Sequence, residues 1–323
     1  MHIFQPKLLL WASLSLLFAL ILVENGQARD NYPSKPITVI VAYSPGGATD
    51  VGTRALAMYM GKYLKTSVII SNLPGASGVI GYTKAYTAKP DGYTLLGWNN
   101  LTPHLEEYKR SGDVGYKTLN FTALAAFSRD GTMLVTHPDS SVTFADFVKQ
   151  AKGQTMNIGT TGQYTITGLQ GILMAEELGI KVNWVTYAGG AECLTSLAGR
   201  HINAALTLPS SAMALIKAGK IVPLLSFGDK RTPKYPNVPV PGELGYNIPV
   251  LSSYLGIVGP PGLDKSKVRI LEEAILKAAK DPDYVAWAEK ASAAERVLLS
   301  AAAYQQETAR LGQVTEKYKR FLK

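Results

Sequence analysis

The chain has 323 residues, of which 46% are apolar and 18% charged, with a net charge of +9. That length supports a substantial core in one large or two ordinary domains, and the composition excludes a disordered or low-complexity chain. The single cysteine, Cys193, excludes an intramolecular disulfide, so stability must come from burial.

Residues 1–28 read as a cleavable secretory signal. Lys7 precedes the uncharged run Leu8 to Val23, and Gly26 and Ala28 supply the small residues of a cleavage position. An uncleaved membrane anchor is the alternative, because the apolar run is slightly long for a signal. Export without disulfides fits a bacterial periplasm, and it argues against nucleic acid as the partner of the positive charge. A positive field favours encounter with an anionic solute instead.

After the signal, short apolar runs alternate with amphipathic stretches. "ITVIVAY" (Ile37 to Tyr43) is continuously apolar, as a buried strand should be, and Asp50 to Leu64 has helical spacing. "SVIIS", a helix over Val79 to Ala88 and "YTLLGW" follow. The order strand–helix–strand–helix–strand predicts a parallel sheet. A second set begins with "TMLVT" (Thr132 to Thr136). It continues through "FADFVKQAK", "MNIG", Ile166 to Leu178, "VNWV", Ala191 to Ala198, "INAALTL", Pro209 to Ala218 and "IVPLLSF". A proline-rich loop from Asp229 to Pro249 precedes helices over Asp264 to Lys280, Pro282 to Ala291 and Ala301 to Leu322.

The expected fold is α/β with two lobes, each a mostly parallel sheet flanked by helices, and a ligand cleft between them. The first lobe is expected over 29–127 and the second over 128–250. Residues 251–323 then return to the first lobe and add the C-terminal helices. The crossings fall around Ala126 to Gly131 and Val250 to Tyr254.

Four glycine-bearing loops join strands to helices: "YSPGGATD" (Tyr43 to Asp50), "NLPGASG" (Asn72 to Gly78), "GTTGQYT" (Gly159 to Thr165) and "TYAGGAE" (Thr186 to Glu192). Loops at the carboxyl ends of parallel strands are where ligands bind. A helix start offers unpaired N–H donors and a partial positive charge, so such loops suit an anion without a lysine. None matches G-x-x-x-x-G-K-[ST] or G-x-G-x-x-G, which disfavours a nucleotide phosphate and leaves a carboxylate. Asp50 is read as either a ligand contact or a helix cap.

No metal, cofactor or catalytic set is legible. The histidines are His2, His104, His137 and His201, without H-E-x-x-H, a cysteine pair or a G-x-S-x-G elbow. A hydrolase built on Ser77 would lack its base, and Cys193 reads as a small buried hydrophobe.

The segments "YPSKPITVIVAYSPGGATD", "NLPGASGVIGYTKAYTAKPDGYTLL", "VTYAGGAECLTSLAGRHINAAL" and "GPPGLDKSKVRILEEA" resemble the Bug-type solute-binding proteins of tripartite tricarboxylate transporters. The resemblance implies a monomeric periplasmic protein that closes on a small organic carboxylate, a di- or tricarboxylate, aromatic acids included. It would deliver this anion to membrane permease subunits. It also implies first-lobe contacts at Ser44, Gly46, Gly47 and Thr49, and at Pro74, Gly75, Ala76, Ser77 and Gly78. Second-lobe contacts would come from Thr160, Thr161, Gly162 and Thr165, from Tyr187 and Gly189, and from Ser210 or Ser211. The chain departs from the family at Tyr43-Ser44, at Trp98 and Asn99 after the third strand, and at Tyr164. If these larger side chains face the cleft, they disfavour a very small ligand; core packing is the alternative. A second functional reading is a sensing protein that presents the loaded form to a membrane sensor kinase.

Overall fold

Ile37–Val41 (β1) is apolar throughout because it lies inside a sheet, with Val68–Asn72 (β2) and Thr94–Asn99 (β3) both parallel to it. Helices Ala48–Leu64 (α1) and Val79–Tyr86 (α2) make the two crossovers. They pack closely: a Cβ on Gly81 of α2 would come within 2.7 Å of Ala42 Cβ, and one on Gly97 of β3 within 2.7 Å of Thr53 on α1. The computed structural model describes residues 32–111 and 113–322. This fold lies in the unit Lys35–Lys323, and the signal-peptide reading of 1–28 falls outside the described residues.

Thr102–Lys109 (α3) and Thr122–Asp130 (β4) follow. The chain then passes at Gly131 into a second sheet. The order is Thr132–Thr136 (β5), Phe144–Gly153 (α4), Met156–Thr160 (β6), Ile166–Leu178 (α5), Val182–Thr186 (β7), Gly190–Ala198 (α6), Ala204–Thr207 (β8), Pro209–Lys217 (α7) and Val222–Phe227 (β9). A Cβ on Gly131 would sit 2.7 Å from the Phe227 carbonyl oxygen, so this crossing has no room for a side chain. The chain returns through Ser253–Gly259 (β10), Lys265–Lys280 (α8), Pro282–Ala291 (α9), Glu295–Leu299 (β11) and Ala301–Tyr318 (α10).

The first sheet has the order β11-β4-β10-β3-β1-β2 and the second β7-β6-β8-β5-β9. Both are mixed. Strand β10 comes back from the second sheet and runs antiparallel to β3 and β4, and β5 runs antiparallel to β8 and β9. The parallel part of each sheet is the part built by strand–helix–strand crossovers. The result is a two-lobed α/β architecture.

Apolar packing also joins the lobes. Ile166, Leu169 and Leu173 of α5 belong to the same buried cluster as Trp98, Leu251 and Tyr254. The buried Gln170 amide donates to the Pro249 carbonyl at 2.8 Å and accepts from the Leu251 N–H at 2.9 Å. This ties α5 to the returning segment. Among the described residues, no helix is long and apolar enough to cross a membrane.

Candidate functional site

One cavity lies where the two sheets' carboxyl ends face each other. Its wall takes Gly47, Ala48 and Thr49 from the start of α1, and Thr102 from α3. Ile166 and Thr167 come from α5, Gly190 from α6 and Ser211 from α7. Tyr43, Asn99, Thr161 and the stretch Leu206, Thr207 and Leu208 complete it. Five helices thus direct their first turns at one space, and no Lys, Arg, His, Asp or Glu lines it. Each helix start carries about half a positive charge, so the wall favours an anion through backbone dipoles alone.

The volume open to the centre of a water molecule is about 40 Å³, room for roughly three waters. The lobes are shut over it. Ala48 N–H donates to Ser211 Oγ at 2.7 Å, Ser44 N–H to the Ala188 carbonyl at 3.4 Å, and Ile166 N–H to Thr102 Oγ1 at 3.4 Å.

The loops are braced from behind. Asp50 is buried in the first turn of α1, and its carboxylate accepts from Gly46 N–H at 3.0 Å, Asn72 Nδ2 at 2.9 Å and Arg54 at 2.6 Å. Burial alone would raise its pKa, but the Arg54, Gly46 and Asn72 bonds outweigh that and hold it below the usual value. The negative charge is therefore compensated within the loop, and Asp50 does not reach the cavity wall. In the second lobe, Thr165 caps α5: its hydroxyl accepts from Gly168 N–H at 3.2 Å and donates to the Gly162 carbonyl at 2.7 Å. Thr160 Oγ1 accepts from Gly162 N–H at 3.1 Å.

The sequence pattern described as "Tripartite tricarboxylate transporter family receptor" matches residues 53–321. The chain belongs to this family. It is 32% identical over 259 residues to a protein of Cupriavidus necator called "UPF0065 protein in gbd 5'region", covering 79% of this chain and 78% of that one. Two solved structures from Rhodopseudomonas palustris share its fold. Rpa4515 with adipate superposes with a TM-score of 0.83 at 21% identity, over 90% of this chain and 98% of that chain. MatC with bound malate superposes with a TM-score of 0.80 at 20% identity, over 90% and 100%. The family is one of solute-binding receptors, not of enzymes. Burial pushes the Cys193 thiol up to about 12.

The receptor distributes the sequence-derived candidates unevenly. Tyr43, Gly47, Thr49, Asn99 and Thr161 stand on the cavity wall. Tyr43 OH pairs with Tyr82 OH at 3.0 Å, and burial pushes the Tyr43 phenol up to about 12, so it serves as a neutral hydrogen-bonding group. Ser44, Gly46 and Gly189 lie at the contact between lobes instead. A Cβ on Gly189 would be 3.0 Å from Ser44 Cβ, and one on Gly46 would be 3.4 Å from Ala191 Cβ. The left-handed backbone falls at Gly46, φ +83°, whereas Gly47 is extended.

The second loop, Pro74, Gly75, Ala76, Ser77 and Gly78, stays off the wall. It winds through four consecutive positive-φ residues, Gly75 to Gly78, which puts Ala76 and Ser77 in a strained region for non-glycine residues. Ser77 meets the second lobe at Gly162, where any side chain would collide with its hydroxyl. Thr160, Gly162 and Thr165 brace their loop from behind the wall. Tyr187 OH bonds Ser196 Oγ at 2.5 Å within its own lobe. Trp98 is buried in the core against Phe121 at 4.9 Å and Tyr82 at 6.4 Å. Lys109 of the first lobe lies over the Tyr164 ring, with Nζ 4.8 Å from the ring centre. Ser210 turns to Asp130 and Ser292, each at 3.2 Å, while its neighbour Ser211 faces the cavity.

Sequence reasoning passed over Thr102, Thr207 and Leu208. The signal was available: "LTP" and "LTLP" each place a proline in the first helical turn just past a strand, marking a helix start at a sheet's carboxyl end.

Proposed function

We propose that the receptor captures a small organic di- or tricarboxylate by closing its lobes, and delivers it to the membrane permease of a tripartite transporter. The observation that carries this reading is the convergence of five helix starts on one cavity without a charged side chain. N–H groups at Gly47, Thr49, Thr167 and Gly190, without a backbone partner among the described residues, form with the Ser211 hydroxyl a donor set drawn from both lobes. An anion that engages both halves of that set stabilises the closed form by its differential affinity for it. Hydrogen bonds between the lobes, from Ala48 N–H to Ser211 Oγ and from Ile166 N–H to Thr102 Oγ1, close the cavity, so loading requires the lobes to part. That related folds hold malate and adipate supports a dicarboxylate as ligand.

The same reading places the mature protein in the periplasm after removal of residues 1–28, which N-terminal sequencing of periplasmic protein tests. The ligand class is tested by native mass spectrometry of purified protein, then by thermal shift against mono-, di-, tricarboxylic and aromatic acids. A rise in melting temperature confined to carboxylates supports the reading. No shift with any acid at millimolar concentration overturns it.

A further inference from the structure

Seven buried side-chain polar atoms have no hydrogen-bond partner among the described residues, and Asn99 Oδ1 is the one that belongs to a residue lining the candidate-site cavity. Asn99 ends β3 and is 5% exposed. Its Nδ2 donates to Ser253 Oγ on the neighbouring β10, and Ser253 is itself fully buried. The amide is therefore held by its nitrogen, with its oxygen left over. A buried amide oxygen without a partner is costly, and a native structure keeps one where something else supplies the bond.

The chemistry of that oxygen differs from that of the helix starts. The helix starts and the Ser211 hydroxyl offer hydrogens, whereas Asn99 Oδ1 can only accept one. A carboxylate also only accepts, so the anion that satisfies the helix starts leaves Asn99 unsatisfied. A ligand that carries its own hydrogen-bond donor supplies the missing bond. An ammonium group is disfavoured, because five helix starts make the cavity positive and no carboxylate lines it. A neutral hydroxyl meets both conditions.

We propose that Asn99 Oδ1 accepts a hydrogen bond from a ligand hydroxyl, so that the receptor prefers hydroxylated acids to the matching unsubstituted ones. This rests on the carboxylate reading above and adds a selectivity to it. The preference follows from desolvation: an acid without the hydroxyl buries the amide oxygen with nothing to bond.

The test is calorimetric titration with matched pairs: malate and succinate, 2-hydroxyglutarate and glutarate, 2-hydroxyadipate and adipate, citrate and tricarballylate. In whichever pairs bind, the hydroxylated acid should bind about tenfold more tightly or better. In Asn99→Leu, which has similar volume and no acceptor, that ratio should fall to within about twofold. Asn99→Ala serves the same purpose should the leucine variant not fold, and the wild-type ratio needs no variant. Equal affinities within every binding pair would mean the amide presents its NH2 group to the ligand and would overturn the proposal. So would an unchanged ratio in a folded variant. Both results leave the carboxylate reading standing. Failure of all eight acids to bind strikes the carboxylate reading itself and removes the basis of the proposal.

Discussion

Ala48 and Ser211 stand on opposite lobes and share one hydrogen bond, the Ala48 N–H donating to Ser211 Oγ at 2.7 Å beside the cavity. The bond both satisfies a helix-start donor and holds the lobes shut. Ser211→Ala should leave the fold intact and weaken ligand binding by about five- to tenfold, the worth of a single hydrogen bond. The loss should appear in the dissociation rate, since closure rather than encounter is affected. Stopped-flow kinetics separates the two, and a change confined to the association rate would count against this role.

Gly46 and Gly47 should respond differently to substitution. Gly47 has an extended backbone, and the nearest atoms to an added Cβ are Gly190 N at 3.6 Å and Ser44 O at 3.7 Å. Gly47→Ala should therefore fold with little loss of stability. Gly47→Val places branched carbons between Gly47 and Gly190, where the anion and the closing lobe both need space. It should reduce binding of every carboxylate by about a hundredfold, near 3 kcal/mol, in a folded protein. Gly46 has φ +83°, so Gly46→Ala should cost about 1 kcal/mol of stability from backbone strain. Thermal melts and titration of the three variants check the contrast.

Tyr164 of the second lobe lies under Lys109 of the first and is not part of the cavity wall. Tyr164→Gly should lower thermal stability and loosen closure while leaving the ranking of ligands unchanged. A selective loss of aromatic or long acids would show instead that the ring meets the ligand.

Asp130, one residue before the Gly131 crossing, is a buried carboxylate that, among the described residues, accepts a single side-chain hydrogen bond, from Ser210 Oγ at 3.2 Å. It has no ion-pair partner among the described residues, although Arg296 lines a second, small pocket together with Asp130, Ser210 and Ser292. Burial pushes its pKa up to about 7, with the Ser210 bond opposing. In the unfolded chain an aspartate titrates near about 3.9. Between those values the folded state holds a proton that the unfolded state has released, so stability falls as pH rises from about 4 to about 7 and levels off above. Asp130→Asn should flatten that slope and be more stable than wild type at pH 8. Melting temperatures measured from pH 5 to 8 decide it: parallel profiles would refute the assignment.

The sequence alone determined the central strands, the helices that cross between them and the four glycine loops. Continuous apolar runs, helical periodicity and loop glycines are local signals, and β1, α1, α5 and β6 follow from them. What it left open were relations that depend on distant partners. Strand β10 packs antiparallel between β3 and β4, and β11 pairs with β4, because the chain re-enters from the other lobe, which no local pattern records. Trp98 and Asn99 are adjacent on one strand and must face opposite sides. Only the packing of Phe121 and Tyr82 decides that the tryptophan is core and the asparagine is wall. Ser210 and Ser211 are likewise separated by about 100° around α7. Which of them meets the cavity is set by how that helix docks against Asp130 and Ala48. Composition and periodicity thus specify the elements. The choice of face, and with it the identity of each cavity residue, is made by the burial of apolar surface between elements far apart in the chain.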